Sequence, residues 1–164
     1  MNSDNIYKEA EKKYEEKNFE EALKLYKKAA DKGNDKAMYS IGFMYYYGEG
    51  VPVNYETAMN WFLKSADKGN DEAMYSIGIM YYNGLGVPVN YKTAMNWFLK
   101  SAEKGNDNSM YNIGDMYENG EEVPVNYETA MNWYLKSADK GNNYAMKNIG
   151  VMYTLSMKFV SLLL

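Results

Sequence analysis

The chain has 164 residues, of which 46% are hydrophobic and 16% aromatic, so it is long enough and apolar enough to bury a core. Its net charge is −4 and all 18 basic residues are lysine, which argues against nucleic acid as a partner because arginine is the usual bidentate reader of phosphate and guanine. The sequence has no cysteine or histidine, which excludes disulfides, thiolate nucleophiles and most zinc sites, and it has no apolar stretch near the roughly 20 residues of a membrane-spanning helix.

Residues 4–32 are predicted to form a helical hairpin. Ile6 and Ala10 share one face of the first helix, and Tyr7 and Tyr14 share a neighbouring face. A break at Lys17-Asn18 separates the two helices, and Ser3 or Asp4 is expected to cap the first helix and Asn18 the second. The apolar side of the second helix is formed by Ala22, Leu25, Tyr26 and Ala29.

A repeated unit of 36 residues follows the hairpin. The stretch GEGVPVNYETAMNWFLKSADKGN, which begins at Gly48, returns with few changes at Gly84 and again at Gly120. A fixed period of this size is typical of solenoid proteins. Each unit is predicted to contain a first helix, such as Asn34 to about Tyr47, a loop that contains Gly and Pro, and a second helix that Asn54 caps.

The repeat predicts an all-α fold, a right-handed α-solenoid of antiparallel helix pairs, as one domain over residues 1–164. Within it we expect a hairpin at 4–33, repeats at 34–69, 70–105 and 106–141, and a final helix with an apolar cap at 142–164. The later helices are expected near 71–83, 91–104, 107–119 and 127–140.

Two features of the unit carry structural expectations. Gly42 recurs at Gly78, Gly114 and Gly150, and a glycine inside a helix, which costs roughly 1 kcal/mol, is expected to let the partner helix approach closely. The second helix is expected to bury Ala58, Trp61, Phe62, Ser65 and Ala66.

The third loop departs from the pattern at Glu122, where the other copies have Gly50 and Gly86. If this position requires a positive φ, Glu122 carries roughly 1–2 kcal/mol of local strain, and otherwise the loop rearranges.

The repeat resembles the Sel1-like repeat family, a relative of the tetratricopeptide repeat, over about residues 35–153, and residues 4–33 resemble a plain tetratricopeptide hairpin. The resemblance implies an adaptor or scaffold without catalytic activity. In the first copy it rests on Ala37, Ile41, Gly42, Met44, Tyr45, Gly48, Glu49, Gly50, Val51, Tyr55, Ala58, Trp61, Ala66 and Gly69.

The first helices also carry variable positions. Residues 39, 43 and 46 are spaced i, i+4 and i+7, so they form one stripe, and their identity changes from copy to copy. First-type helices line the concave face of an α-solenoid, which predicts a groove that is aromatic in its first half and acidic around Asp115. An alternative is that Tyr39 and Phe43 pack against the neighbouring hairpin. The candidate partner-binding residues are Tyr39, Phe43, Tyr46, Tyr47, Tyr75, Ile79, Tyr82, Tyr111, Asp115 and Glu118.

The function expected from these features is that of a cytoplasmic adaptor that binds a protein or peptide partner on the concave aromatic face. A peptide with apolar anchors and a basic flank would complement that face. We expect no catalytic residue, no metal site and no cofactor. The alternative function is a structural protein that forms a homo-oligomer through its apolar tail, residues 155–164, which could equally extend the last helix as a cap.

Overall fold

The structure, a computed structural model, describes the backbone of residues 2–163 and the side chains of residues 2–154. This part of the chain contains nine α-helices and no β-strand, as the repeat pattern predicts. The helices are α1 (Ser3–Glu15), α2 (Phe19–Ala30), α3 (Asp35–Tyr47), α4 (Tyr55–Asp67), α5 (Asp71–Asn83), α6 (Tyr91–Glu103), α7 (Asp107–Asn119), α8 (Tyr127–Asp139) and α9 (Asn143–Leu163).

The chain groups into two compact units, Met1–Asn90 and Tyr91–Leu164. In the first unit, α1 pairs with α2 and α3 with α4, and α5 packs on α4. In the second unit, α7 pairs with α8, α6 packs on α7, and α9 packs on α8. Each helix of a pair follows its partner after a short loop, so the pairs are antiparallel.

Asparagine caps begin most of the helices. The side chain of Asn18 accepts a hydrogen bond from the backbone N–H of Glu21, as predicted. The predicted cap of α1 is wrong, because Asn2 rather than Ser3 or Asp4 caps this helix. An N-cap must lie outside the helix in extended backbone, and Asn2 has φ −72° and ψ 167° whereas Ser3 already belongs to α1.

The capping asparagines also join successive repeats. Asn70 caps α5 with its Oδ1, and its Nδ2 donates to Oδ2 of Asp35 at the start of α3, over 2.8 Å. Ser65, buried in α4, donates to the backbone carbonyl of Asp35 over 2.7 Å. The second unit repeats these bonds with Asn142, Ser137 and Asp107. Within each unit these polar groups therefore tie the start of one first-type helix to the start of the next, α3 to α5 and α7 to α9.

Gly42 allows close helix packing, as predicted. A Cβ atom built on Gly42 would lie 2.6 Å from Cδ1 of Phe62 and 3.2 Å from the carbonyl oxygen of Ala58, both on α4. In the second unit, a Cβ on Gly114 would lie 2.7 Å from the ring of Tyr134. The ring of the second helix therefore fills the space that a side chain on the first would need.

The prediction that Trp61 is buried is wrong in part. The Phe62 ring is 1% exposed and faces Gly42, so it fills the centre of the core, whereas the indole is only partly buried and packs at the core edge. The ammonium of Lys64 lies 4.3 Å from the centroid of this indole. Trp97 and Trp133 have equivalent lysine contacts, at 4.6 Å and 4.3 Å.

The loop at Glu122 keeps the backbone of the other copies. Glu122 has φ +64°, close to +72° at Gly50 and +71° at Gly86. The expected positive φ is thus confirmed, and a glutamate occupies a left-handed conformation that favours glycine. Lys17, in the turn between α1 and α2, has φ +59°, which the sequence pattern did not predict.

The last helix extends through the apolar end of the sequence. α9 runs from Asn143 to Leu163 and does not stop at the position where the earlier repeats have their loop. The side chains of residues 155–164 lie outside the described residues, so the cap and the association surface stay predictions. None of the helices in the described part of the chain is both long enough and apolar enough to cross a bilayer.

Candidate partner-binding site

A shallow cavity, the apolar pocket, lies between α3 and α5 in the first unit. Its volume is about 120 Å³. It brings together six of the ten predicted site residues and adds Phe62 and Ser76. The lining residues are Tyr39, Phe43, Tyr46, Tyr47, Phe62, Tyr75, Ser76 and Ile79.

The helical period of α3 places its aromatic side chains along one wall. Phe43 and Tyr47 are one turn apart, and their ring centroids are 4.4 Å apart. Tyr46 packs edge-on against Tyr47 at 4.8 Å and lies 6.3 Å from the buried ring of Phe62. Tyr47 is 59% exposed, so this wall extends from the buried core to the solvent-exposed surface.

Tyr39 is shared between the fold and the pocket. Its ring centroid is 5.7 Å from that of Phe62, and it lines the pocket together with Ser76 of α5. Burial, together with the charge of Glu72, raises the pKa of Tyr39 to about 12. These contacts agree with the alternative that Tyr39 packs on its neighbours, while one side of its ring still lines the pocket.

A second cavity, the acidic pocket, lies between α1, α2 and α3. Its volume is about 240 Å³, and it shares Tyr39 and Phe43 with the apolar pocket. The lining residues are Tyr7, Glu11, Tyr14, Tyr26, Tyr39, Ser40 and Phe43.

Hydrogen bonds hold the tyrosines of the acidic pocket. The hydroxyl of Tyr26, a residue only 1% exposed, donates to Oε1 of Glu11. Tyr14 donates to Oε2 of Glu49, and the ring of Tyr7 packs against that of Tyr26 with centroids 5.9 Å apart. Burial raises the pKa of all three tyrosines, and the nearby carboxylates raise it further. The phenols therefore stay neutral at physiological pH.

The remaining predicted residues include three on α7, in the second unit. Glu118 accepts a hydrogen bond from the hydroxyl of buried Tyr134 over 2.5 Å. Burial raises the pKa of Asp115, and the charges of Glu121 and Glu118 raise it further. The ring centroid of Tyr111 lies 5.6 Å from that of Tyr134 and 6.1 Å from that of Tyr144 on α9. In this unit part of the stripe thus serves internal packing.

Tyr82 is among the candidate partner-binding residues predicted from the sequence, and Glu11 is not. Tyr82 lies half-buried on α5 but is not among the residues that line the apolar pocket. Glu11 was overlooked because the first loop is shorter than the others, which shifts the register of α1 against the 36-residue period. Matching Tyr7 with Tyr39 puts Glu11 at the position of Phe43, and that alignment would have found it.

Four stretches of the chain match the model of the Sel1 repeat: residues 13–34, 35–70, 71–106 and 107–142. The first match lies in the hairpin for which the sequence indicated a tetratricopeptide pattern. No curated protein sequence matches the chain significantly.

Solved structures of repeat proteins resemble this one. A Sel1 repeat protein from Oxalobacter formigenes matches with a TM-score of 0.87 at 30% identity, over 94% of this chain and 65% of that protein. A protective antigen of uropathogenic Escherichia coli with the SLR fold matches with a TM-score of 0.76 at 34% identity, over 81% of this chain and 29% of the antigen. This chain therefore spans less than two thirds of either protein.

Helicobacter pylori cysteine rich protein B has a TM-score of 0.62 at 17% identity, over 78% of this chain and 92% of that protein, and shows the fold alone. Together with the repeat matches, these likenesses confirm the predicted all-α solenoid class.

Proposed function

The chain belongs to the Sel1 repeat family, whose repeats generally act as non-catalytic protein–protein interaction modules, and on this premise we propose that it is an adaptor that binds a peptide segment of a partner protein at the apolar pocket. The observation that carries the proposal is the convergence of aromatic side chains from α3 with Tyr75 and Ile79 of α5 on one open cavity. The bound segment would insert an apolar side chain between the two helices.

The composition of the pocket suits recognition. Tyrosine offers a large contact area with few rotatable bonds, so ordering its side chain on binding costs little entropy. Tyr46 is already held against Tyr55 of α4, with centroids 5.5 Å apart, and against Phe62. The pocket is smaller than the roughly 300–1,000 Å³ of sites for drug-sized molecules, which favours a single side chain as its occupant.

The other repeats supply substitutions that the fold already tolerates. Asp115 occupies in the third repeat the position of Ile79, and Asn83 and Asn119 occupy the position of Tyr47. In the double variant Tyr47→Asn/Ile79→Asp, each new residue already occurs at the equivalent position of another repeat. The variant therefore changes the pocket with residues that the fold is known to accept. Tyr127→Ala, which removes a tyrosine that is 61% exposed on α8, is the matched control.

The test selects a displayed library of random 12-residue peptides on the wild-type chain and measures individual peptides by fluorescence anisotropy. The double variant is expected to weaken binding by about tenfold or more, since loss of a central anchor typically costs more than about 1.4 kcal/mol. Tyr127→Ala should bind as the wild type does. The assignment would be refuted if the selected peptides bound the double variant as tightly as the wild type. It would also be refuted if the library yielded no binder.

A further inference from the structure

We propose that the acidic pocket binds a cationic side chain, an ammonium or guanidinium group, of the bound peptide. The pocket combines one carboxylate, that of Glu11, with five aromatic rings and Ser40. None of the described residues that line it is basic. The delivery of the cation by a partner rests on the proposed function, but the cation selectivity of the pocket does not.

The aromatic walls suit a cation as well as the carboxylate does. The face of an aromatic ring attracts an ammonium or guanidinium within about 6 Å of its centroid. Around Glu11, the centroid of Tyr26 lies 5.9 Å from that of Tyr7 and 6.4 Å from that of Tyr14. A cation placed among these rings would therefore contact more than one of them while it faces the carboxylate.

The pocket is held in shape before any ligand arrives. The hydroxyls of Tyr14 and Tyr26 donate to the carboxylates of Glu49 and Glu11. The rings therefore cannot turn freely, and binding would order few side chains. A preorganised site loses less of its interaction energy to entropy.

The charge of Glu11 is not neutralised within the structure. The ion pairs of the first two helices, Lys13 with Glu16 and Lys24 with Glu21, do not include Glu11. The whole chain carries a net charge of −4, so its field also favours the approach of a cation.

The acidic pocket differs from the neighbouring apolar pocket in its carboxylate, so a cation should prefer the acidic pocket. Helix α3 has Phe43 at the position that Glu11 occupies in α1, and the apolar pocket contains no carboxylate. The two pockets share Tyr39 and Phe43, so they lie about one helix spacing, roughly 10 Å, apart. An extended chain covers that distance in about three residues. The expected peptide therefore carries a basic and an apolar residue about three positions apart.

Small probes test the cation site without the partner. Butylammonium stands for lysine and methylguanidinium for arginine, and 1-butanol is the neutral control. Each is titrated into the isotope-labelled full chain, and the NMR shifts of the Tyr7 and Tyr14 rings are followed. Saturable shifts with either cation, and not with butanol, are expected, and the tighter cation identifies the preferred side chain. Equal shifts with butanol, or no saturable shift with either cation, would overturn the proposal.

The variant Glu11→Gln isolates the charge. Glutamine keeps a side-chain oxygen that accepts from Tyr26, so the fold should survive, which circular dichroism checks. Cation affinity should fall about tenfold, as expected for loss of one charge partner. The control Glu9→Gln removes an exposed carboxylate of the same helix that does not line the pocket, and it should leave the affinity unchanged. Unaltered cation binding in Glu11→Gln would contradict the role of this carboxylate.

Repeating the peptide selection on Glu11→Gln separates the two proposals. The preference for a basic residue should disappear while the preference for an apolar residue remains. Wild-type binders without a basic residue would overturn the cation pocket and leave the adaptor function standing. Saturable cation binding with no selected peptide would support the cation pocket and refute the adaptor function.

Discussion

Substitution of Gly42 by alanine tests whether ring packing explains the recurring helix glycine. The new Cβ would lie 2.6 Å from the ring of Phe62, which is 1% exposed, and 3.2 Å from a carbonyl oxygen of α4. Overpacking of this kind costs about 1–3 kcal/mol. The better helix propensity of alanine returns about 1 kcal/mol. We therefore expect a net loss of up to about 2 kcal/mol in the free energy of unfolding.

The fourth copy of this glycine is the matched control. A Cβ on Gly150 would meet no atom within 4 Å, so Gly150→Ala gains helix propensity without a clash. Its expected effect has the opposite sign, a stabilisation of up to about 1 kcal/mol. Urea unfolding followed by circular dichroism measures both, and in thermal unfolding each kcal/mol should shift Tm by about 2–4 °C for a chain of this size. Equal stabilisation by the two substitutions would refute the packing explanation.

Two further predictions concern strain and pH. Glu122→Gly relieves the strain of a φ of +64° and should stabilise the protein by up to about 1 kcal/mol in urea unfolding. The control Glu122→Ala removes the charge but keeps the strain. Equal effects of the two substitutions would exclude strain relief. Because the pKa of Tyr39 is raised to about 12, the stability it contributes is complete below pH 10 and is lost as the pH rises from 10 towards 12. Several tyrosines should titrate late in alkaline absorbance, and Tyr39→Phe should remove the one that titrates near pH 12; an unchanged titration near pH 12 in the variant would contradict this.

Much of the fold was predictable because the capping and turn residues recur with the same period as the helices. Asn54 and its equivalent Asn126 cap their helices at the predicted residues. The positive φ at Glu122 was predictable for another reason, since comparison of the copies shows which residues a loop position usually holds. The cap of α1 was not predictable in the same way, because several polar residues precede the helix and all of them suit the role.

The candidate site was predictable only as a stripe. The spacing of residues 39, 43 and 46 placed them on one face of a helix, and six of the ten candidates do line one cavity. Their depth was not predictable, since Tyr39 packs on the ring of Phe62 from another helix and Glu118 accepts from Tyr134. Glu11 was missed because its neighbours in the acidic pocket come from three separate helices.

By itself, the sequence determined the helices, the caps of the repeated units, the loops, the period and the family, because these depend on contacts within a few residues and on comparison of nearly identical copies. Only the tertiary structure decided that Phe62 rather than Trp61 fills the space beside Gly42, and that Glu11 lies among three tyrosines. The reason is geometric: neighbouring positions on a helix differ by about 100° in direction, so the packing of the facing helix selects which side chain enters the core and which lines a pocket.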